Sequence, residues 1–375
     1  MADPFVFDAD QVDLRNTLKL FLAEHCDQGV VRRSMDSEIG YDAGLWARLG
    51  GELGVLGLTV PDELGGAGAG LVEQAILAEA MGSMLMPGPT FGTVALAIPA
   101  LEAAGGPLAQ ELLPDLVAGR TTAAYVAPRF GADRAVTELD GRLDGEVRFV
   151  VDGAGADVLV VAAVGPDGTG LYLVDGDDAL RTPQDTMDLT RRQAVVRFEH
   201  TRARPLAHPD LAASVMGSTT ASAAVFLAAE QVGIAQHLLD VSVEYAKTRV
   251  QFGRPIGSFQ AVKHRLADML VTVEHARSAA YYAAWAAQEG ADDAELARSL
   301  ALAVCIDAAT LVAGDCIQVL GGIGFTWEHE AHLYLKRAFG DAALLGSAAA
   351  HRDRVAELVL DEAASQGNLP VAGVR

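Results

Sequence analysis

Residues 245–256 read YAKTRVQFGRPI, from Tyr245 to Ile256, and residues 318–329 read QVLGGIGFTWEH, from Gln318 to His329. Each string closes a long helical pattern. Gly253 and Pro255 stop the first helix, so Arg249 and Gln251 project from its last turn, where the helix dipole favours a cation. Read alone, Arg249 is an ordinary helix cap. In the second string, Gly321, Gly322 and Gly324 allow a ligand close to the backbone and leave N–H groups that can face phosphate oxygens. Read alone, those glycines are a C-cap leading into a turn.

Working outward, the chain falls into three patterns. Residues 11 to about 118 show helical periodicity, with Val12, Leu14, Leu18, Phe21 and Leu22 spaced at three and four, then Trp46, Leu49 and Leu53. The run VLGLTVPDELGGAGAG interrupts this unit at Pro61 and its glycines before a helix through Glu73 to Met81. From about 120 to 205 come short β-branched or aromatic runs, separated by Asp-Gly pairs starting at 140, 144, 152 and 167. Asp-Gly tolerates the positive φ of tight hairpins, so the spacing predicts an antiparallel β unit. Beyond Pro209 the pattern predicts long helices over about 211–246, 259–289, 293–320 and 328–361, the last broken near Gly340, with short connections that suggest an antiparallel bundle.

The 375 residues carry a formal net charge of −22. That field repels nucleic acid and anionic lipid surfaces, and no basic run contradicts it. It also opposes anionic substrates unless Arg, Lys or helix N-termini compensate locally. No uninterrupted apolar stretch is read as a bilayer span and the start is acidic, so no membrane association and a cytoplasmic location are expected. Cys26, Cys305 and Cys316 form an odd set without paired spacing and read as reduced core residues; no metal site is expected, because no His or acidic cluster stands beside them at ligand spacing.

Together with the early loop ELGVLGLTVPDELGGAG at 52–68, the two strings resemble the acyl-CoA dehydrogenase family along nearly the whole chain. The resemblance implies an α+β fold: an N-terminal α-helical domain (1–119), a middle antiparallel β-barrel-like domain (120–205) and a C-terminal four-helix bundle (206–375). It implies FAD as cofactor, with Arg249, Gln251, Phe252, Gln318, Gly321 and Gly322 on the diphosphate and adenosine part and Gln260 assisting. Family members usually give these residues to the FAD of a neighbouring subunit, so a homo- or hetero-oligomer, dimer or tetramer, is implied. Acyl-CoA is the implied substrate and electron-transfer flavoprotein the implied acceptor. The implied reaction is α,β-dehydrogenation, in which a glutamate removes a proton from Cα while hydride leaves Cβ for the flavin.

The chain departs from the family pattern in two places. Register puts Ala223 and Gly346 where the family carries its base, and neither can act as one. Glu230, two helical turns beyond Ala223 on the same face, is the best substitute within the chain; its other reading is a buried structural acid paired with an Arg or a backbone group. Asp341 lies at a helix break near the expected base loop, whereas Glu328 and His329 read as structural. In the β unit, Ala127, Pro128, Arg129, Phe130, Gly131, Ala132 and Asp133 replace the family's T-E-P-x-x-G-S-D string, and Phe149, Val150 and Val151 replace W-I-T. Phe149 can pack on a flavin, but Val151 lacks the hydroxyl. Arg191 and Arg192 read either as phosphate ligands or as part of a surface turn. Small residues at Ala221, Ala223 and Ala224 suggest room for a bulky acyl group. Three readings follow: a complete dehydrogenase using Glu230, a partner subunit whose sister chain holds the base, or a flavin-dependent monooxygenase or oxidase on the same fold. A non-catalytic structural partner is the fourth.

Overall fold

The computed structural model describes residues 6–128 and 135–365. Six helices open the chain: α1 (Ala9–His25), α2 (Gln28–Asp36), α3 (Ala43–Gly51), α4 (Leu71–Ser83), α5 (Ile98–Ala104) and α6 (Gly106–Val117). Asp8, Asp27 and Asp42 each accept a backbone N–H at the start of the helix that follows, satisfying donors that no turn of helix can reach. A π-helical turn, Thr90–Ala97, runs directly into α5.

Eight strands follow: β1 (Ala123–Val126), β2 (Thr137–Leu139), β3 (Arg142–Val151), β4 (Val158–Gly165), β5 (Gly168–Asp175), β6 (Leu180–Gln184), β7 (Gln193–Arg202) and β8 (Arg204–Ala207). They form one sheet in the order β6-β7-β3-β2-β4-β5-β8, with β1 alongside β4. Pairing is antiparallel except at β4, where β1 and β2 both run parallel to it. Asp140 and Gly141 join β2 to β3 with φ of 53° and 74°, the conformation that their dipeptide was expected to supply. Strand β4 has no polar face because both its faces are covered. Val158, Val160 and Ala162 pack with α5, α6 and the start of the next helix, and Leu159, Val161 and Ala163 pack inside the β unit.

The bundle comprises α7 (Pro209–Thr248), α8 (Gln260–Glu289), α9 (Ala294–Leu320), α10 (Ala331–Asp341) and α11 (Ala348–Ser365). One continuous apolar core joins α1–α4 to α7–α10, so the two helical units share a single interior. By length and composition, α7 and the stretch Ala294–Phe325 could each cross a bilayer, where the sequence reading counted no such segment. Both are core helices, with 56% and 61% of their most apolar windows buried, and their alanine-rich sequence reflects close helix contacts.

The tightest of these contacts fixes α7. A Cβ on Gly233 would lie 2.0 Å from the Glu79 carbonyl oxygen of α4, and one on Gly82 would lie 2.2 Å from the Glu230 carbonyl oxygen. The two backbones touch where α4 crosses α7, directly beneath Glu230. Gly233→Ala should therefore cost about 2–4 kcal/mol in urea unfolding, because neither backbone can yield without moving the crossing. Gly217→Ala in the same helix meets nothing within 4 Å and should be neutral or slightly stabilising.

Candidate functional site

Helices α7, α8 and α9 run alternately up, down and up, so the C-terminal ends of α7 and α9 share one end of the bundle. That topology brings the two opening strings to the same end. Val250–Gln251 and Arg254–Pro255 pair as a two-stranded hairpin whose tip, Phe252–Gly253, has φ of 53° and 75°. After α9, Gly321–Phe325 forms a single 3-10 turn, with φ of 64° at Gly321. Arg249, Gln251, Phe252, Gln260, Gln318 and Gly322 are all exposed, and Gly321 is half-buried.

Two features separate this end from an ordinary solvated surface. The Arg249 guanidinium makes no hydrogen bond or ion pair among the described residues, so the ordinary cap reading has no bond to rest on. Phe252 is 92% exposed, and Val250, Ile323, Phe325 and Trp327 join it as exposed apolar side chains in the two turns. Large apolar side chains grouped this way mark a surface built to be covered.

The base positions read in the sequence are inert in the structure. Ala223 is fully buried on α7. Gly346 sits at φ 107°, and a Cβ there would lie 3.3 Å from the His351 ring, so the loop is shaped for glycine and not for a glutamate.

Glu230 is 2% exposed and held from two sides. Arg191 Nη2 donates to both its carboxylate oxygens at 2.6 Å, and Arg337 Nη1 donates to Oε1 at 2.8 Å. With its oxygens taken by guanidinium N–H groups, Glu230 has the Arg partners of its paired, structural reading. Arg337 also donates from Nε to Asp188 Oδ2 at 2.5 Å and from Nη2 to Thr190 Oγ1 at 2.6 Å, while the Thr190 hydroxyl donates to Asp188 Oδ1 at 2.5 Å. Arg191 Nη1 donates to Asp341 Oδ1, and its guanidinium lies 5.0 Å from the Phe91 ring centroid.

The cluster sets two guanidiniums against three buried carboxylates, those of Asp188, Glu230 and Asp341. One excess negative charge in a dry interior is costly, and protonation is the cheapest way to remove it. Asp341 is the carboxyl on which that cost falls hardest. Burial pushes it well above the usual carboxylate range, Arg191 opposes that, Glu230 adds to it, and its Oδ2 has no hydrogen-bond partner. At Asp188, burial alone would raise the carboxyl, but Arg337 and the Thr190 donors outweigh it and hold the group below its ordinary value.

Arg191 and Arg192 are therefore not phosphate ligands. Arg192 donates to the carbonyl oxygens of Met35, Ser37 and Glu38. Nearby, Phe149 is partly exposed at φ 56°, with its N–H on Gln184 Oε1 at 2.7 Å, and Val151 is buried. Arg129, Phe130, Gly131, Ala132 and Asp133 lie outside the described residues. Cys26, Cys305 and Cys316 are buried and unpaired; burial, the largest cause in each, pushes the thiols of Cys26 and Cys316 to about 12 and about 11. Ala223 and Ala224 are packed into the core and Ala221 is half-buried, so these residues leave no evident opening along α7.

Sequence reasoning used Arg337 only to set register and gave neither Arg337 nor Asp188 a role. The available signal was Arg337 and Asp341 one turn apart on an otherwise apolar helix face, since buried ions of opposite sign travel together.

Comparison with known proteins gives consistent relations. The family model described as acyl-CoA dehydrogenase, N-terminal domain, matches residues 8–120, and that for the C-terminal domain matches residues 213–360. Acyl-CoA dehydrogenase IpdE2 of Mycobacterium tuberculosis is 42% identical over 335 residues, covering 89% of this chain and 92% of its own length. Among solved structures, the Tcur3481-Tcur3483 steroid ACAD G363A variant is 30% identical with a TM-score of 0.85, covering 95% of this chain and 99% of that one. The ChsE4-ChsE5 complex from Mycobacterium tuberculosis is 28% identical with a TM-score of 0.87, covering 96% and 99%.

The upward shift of Asp341 makes the cluster testable. A carboxyl whose folded value is raised stabilises the fold fully below about pH 4, the ordinary aspartate value, and loses that contribution as pH rises toward the folded value. Asp341→Asn keeps the shape without the titration. It should stay within about 1 kcal/mol of the parent at neutral pH and flatten the stability curve above pH ~4, whereas Glu230→Gln should cost about 3–5 kcal/mol. Equal losses for the two variants, measured by urea unfolding from pH 4 to 8, would mean that all three carboxylates are ionised.

Proposed function

The chain belongs to the acyl-CoA dehydrogenase family of FAD-dependent oxidoreductases acting on the CH–CH bond of acyl-CoA thioesters, and from that premise we propose that it is one subunit of a mixed assembly whose sister chain holds the base. In this reading Arg249, Gln251, Phe252, Gln318, Gly321 and Gly322, with Gln260 beside them, close over the diphosphate and adenosine part of FAD seated mainly in the sister chain. The observation that carries the proposal is the pairing of an exposed, unpartnered cofactor-binding end with a chain that has no free carboxylate at either base position.

The two halves of the chain fit the flavin differently. At the bundle end, an unpaired guanidinium and the exposed turn at Gly322 suit a diphosphate, whereas the Gly321 N–H is already donated to the Ile317 carbonyl oxygen. In the β unit, Val151 has no hydroxyl for the ring, and the ground between β7, α7 and α10 is filled by the Arg191–Arg337 cluster. When bound, the flavin supplies the acceptor for the hydride that leaves Cβ. This chain's residues then anchor the cofactor's charged end and exclude water, while the sister chain takes the Cα proton.

The names of two similar structures, one a steroid ACAD and one a two-chain complex, support a bulky alicyclic acyl group and a hetero-oligomer here. A cytoplasmic location and electron-transfer flavoprotein as acceptor complete the reading. The sister chain's glutamate makes Glu230 unnecessary as a base, and this reading assigns it to holding the β unit on the bundle.

Purified alone, the chain should carry far less than one flavin per polypeptide and should not reduce a ferrocenium acceptor with acyl-CoA. Co-expressed with a homologue that has a glutamate at the base position, it should form a yellow, active complex. Arg249→Ala in this chain should weaken FAD binding by the complex about tenfold or more, since a charge-assisted contact to phosphate is lost. A chain that alone binds stoichiometric FAD and turns over substrate would overturn the proposal.

A further inference from the structure

A cleft of about 540 Å³ opens among α1, α4, α7 and α8. Its size falls within the ~300–1,000 Å³ typical of small-ligand pockets. Helix α4 touches the other three, and its tight crossing with Gly233 of α7, at Glu79, lies in the cleft wall. No residue of the Arg191–Arg337 cluster or of the bundle end lines it.

The inner side chains are polar and bonded to one another. Arg277 Nη1 donates to Glu79 Oε1, and its Nη2 donates to Gln236 Oε1 at 2.6 Å. The Tyr281 hydroxyl donates to Glu79 Oε2 at 2.6 Å, and Gln236 Nε2 donates to Asp240 Oδ1 at 2.9 Å. Both Glu79 oxygens and both ends of the Gln236 amide are therefore engaged, so this network shapes the cleft and offers a ligand little.

The outer face differs. Arg15 and Lys19 stand one turn apart on α1 with Asn16 between them, and all three are exposed. None of them makes a hydrogen bond or ion pair with a described residue. Arg15 is held in place without spending a donor: its guanidinium lies 5.3 Å from the Phe7 ring centroid, and Phe7 meets the Tyr281 ring edge-on at 4.9 Å. A guanidinium over a ring keeps its N–H edge open to an oxyanion. Gln11 Nε2 donates to Glu73 Oε1 at 2.7 Å and so ties α1 to α4. Beside these cations, Ala23, Ala80 and Met84 give the wall an accessible apolar strip.

Charge decides what fits. Arg15, Lys19 and Arg277 bring three positive charges to the lining and Glu79 and Asp240 bring two negative ones, a surplus of one. His237 also lines the cleft, but its Nε2 meets Glu330 Oε1 at 2.8 Å, so a proton there is balanced outside it. A monoanion brings the lining to neutrality. A phosphate monoester, carrying about −1.5 to −2 at pH 7, would overshoot and be repelled by Asp240, whose Oδ2 has no partner among the described residues. A cation would meet Arg15 and Lys19.

We propose that the cleft binds an organic monocarboxylate, with its carboxylate on Arg15 and Lys19 and its hydrocarbon part on Ala23, Ala80 and Met84. The guanidinium fork supplies the two parallel N–H groups that a carboxylate accepts. Helix α1 packs chiefly on α4, so a ligand reaching across to α7 gives it a second hold. The inference does not rest on the subunit reading above, because it needs no flavin, no thioester and no sister chain.

The probe is sodium octanoate, compared with 1-octanol and inorganic phosphate. Calorimetry on the full chain, in whatever assembly it is purified, should show octanoate bound. Each comparison compound should bind about tenfold more weakly or worse, one for want of the charge and the other for want of an apolar body. Arg15→Gln and Lys19→Gln, both at exposed side chains, should each weaken octanoate about fivefold or more. Lys247→Gln removes the same charge from the end of α7 outside the cleft and should leave the affinity unchanged. Bound octanoate should also slow amide hydrogen exchange in α1. The proposal fails if octanoate does not bind, if either comparison compound binds as tightly, or if neither α1 substitution weakens it. Slowed exchange confined to other helices would overturn it equally, and the ligand series with the exchange data decides the matter should an α1 variant not fold.

Discussion

Arg191 and Arg337 carry two positive charges into an interior shared by three parts of the chain, and the placement of everything around them depends on how those charges are met. Asp188 and Thr190 come from the loop before β7, Glu230 from α7 and Asp341 from α10. No apolar packing alone would fix the sheet's rotation on the bundle, because alanine-rich faces slide at low cost. Buried guanidiniums do not slide: each N–H lost to a small rotation would be left unsatisfied in a dry site. Such a cluster contributes geometry more surely than it contributes stability.

That geometry has a consequence for chemistry. A carboxylate that must satisfy two arginines cannot also be poised against a substrate, so the acid best placed along α7 is unavailable. The contact of Gly82 and Gly233 with the opposite backbones presses α4 and α7 together at the same level, which leaves the cluster no room to rearrange. A site that has been filled with ion pairs no longer needs a base beside it.

The fold was legible because its signals were local and periodic. The Asp-Gly turns at 140, 152 and 167, the helix stop at Gly321, and the change from a period near four to short β-branched runs each report on neighbours in sequence. By contrast, Asp144-Gly145 falls inside β3 at a register shift, and α7 ends at Thr248, with Gly253 at the tip of the following hairpin. Strand β4 is apolar because it is covered on both faces, which the sequence reading did not draw out. The cluster was not legible, since Arg191, Glu230 and Arg337 meet across separations of 39 and 107 residues and each looks unremarkable in its own window. The apolar length of α7 and α9 was misjudged for a related reason: a core helix and a membrane helix differ in what surrounds them, and composition does not record that. Asp152 was visible only as half of a turn dipeptide, and its carboxyl accepts the N–H of Gly92, 60 residues away.

Charge distribution decides how an acidic chain can hold an anionic cofactor. With 50 acidic against 28 basic residues, a diffuse field would repel a dinucleotide, so attraction has to come from cations that are not already neutralised. Among the described residues, twelve arginines are spent in ion pairs. At the bundle end the balance differs: Arg249 is unpaired, Arg254 lies 4.1 Å over the Phe259 ring with no acid beside it, and Lys263 in the first turn of α8 has no ion pair among the described residues. These cations stand in chain order around an aromatic tip that is almost wholly bare. An exposed guanidinium loses little by being solvated, so leaving it unpaired costs the isolated chain almost nothing, whereas pairing it with a local acid would weaken its later grip on a diphosphate. The end that looks unfinished in one chain is therefore consistent with the proposed sharing of a cofactor across a subunit boundary.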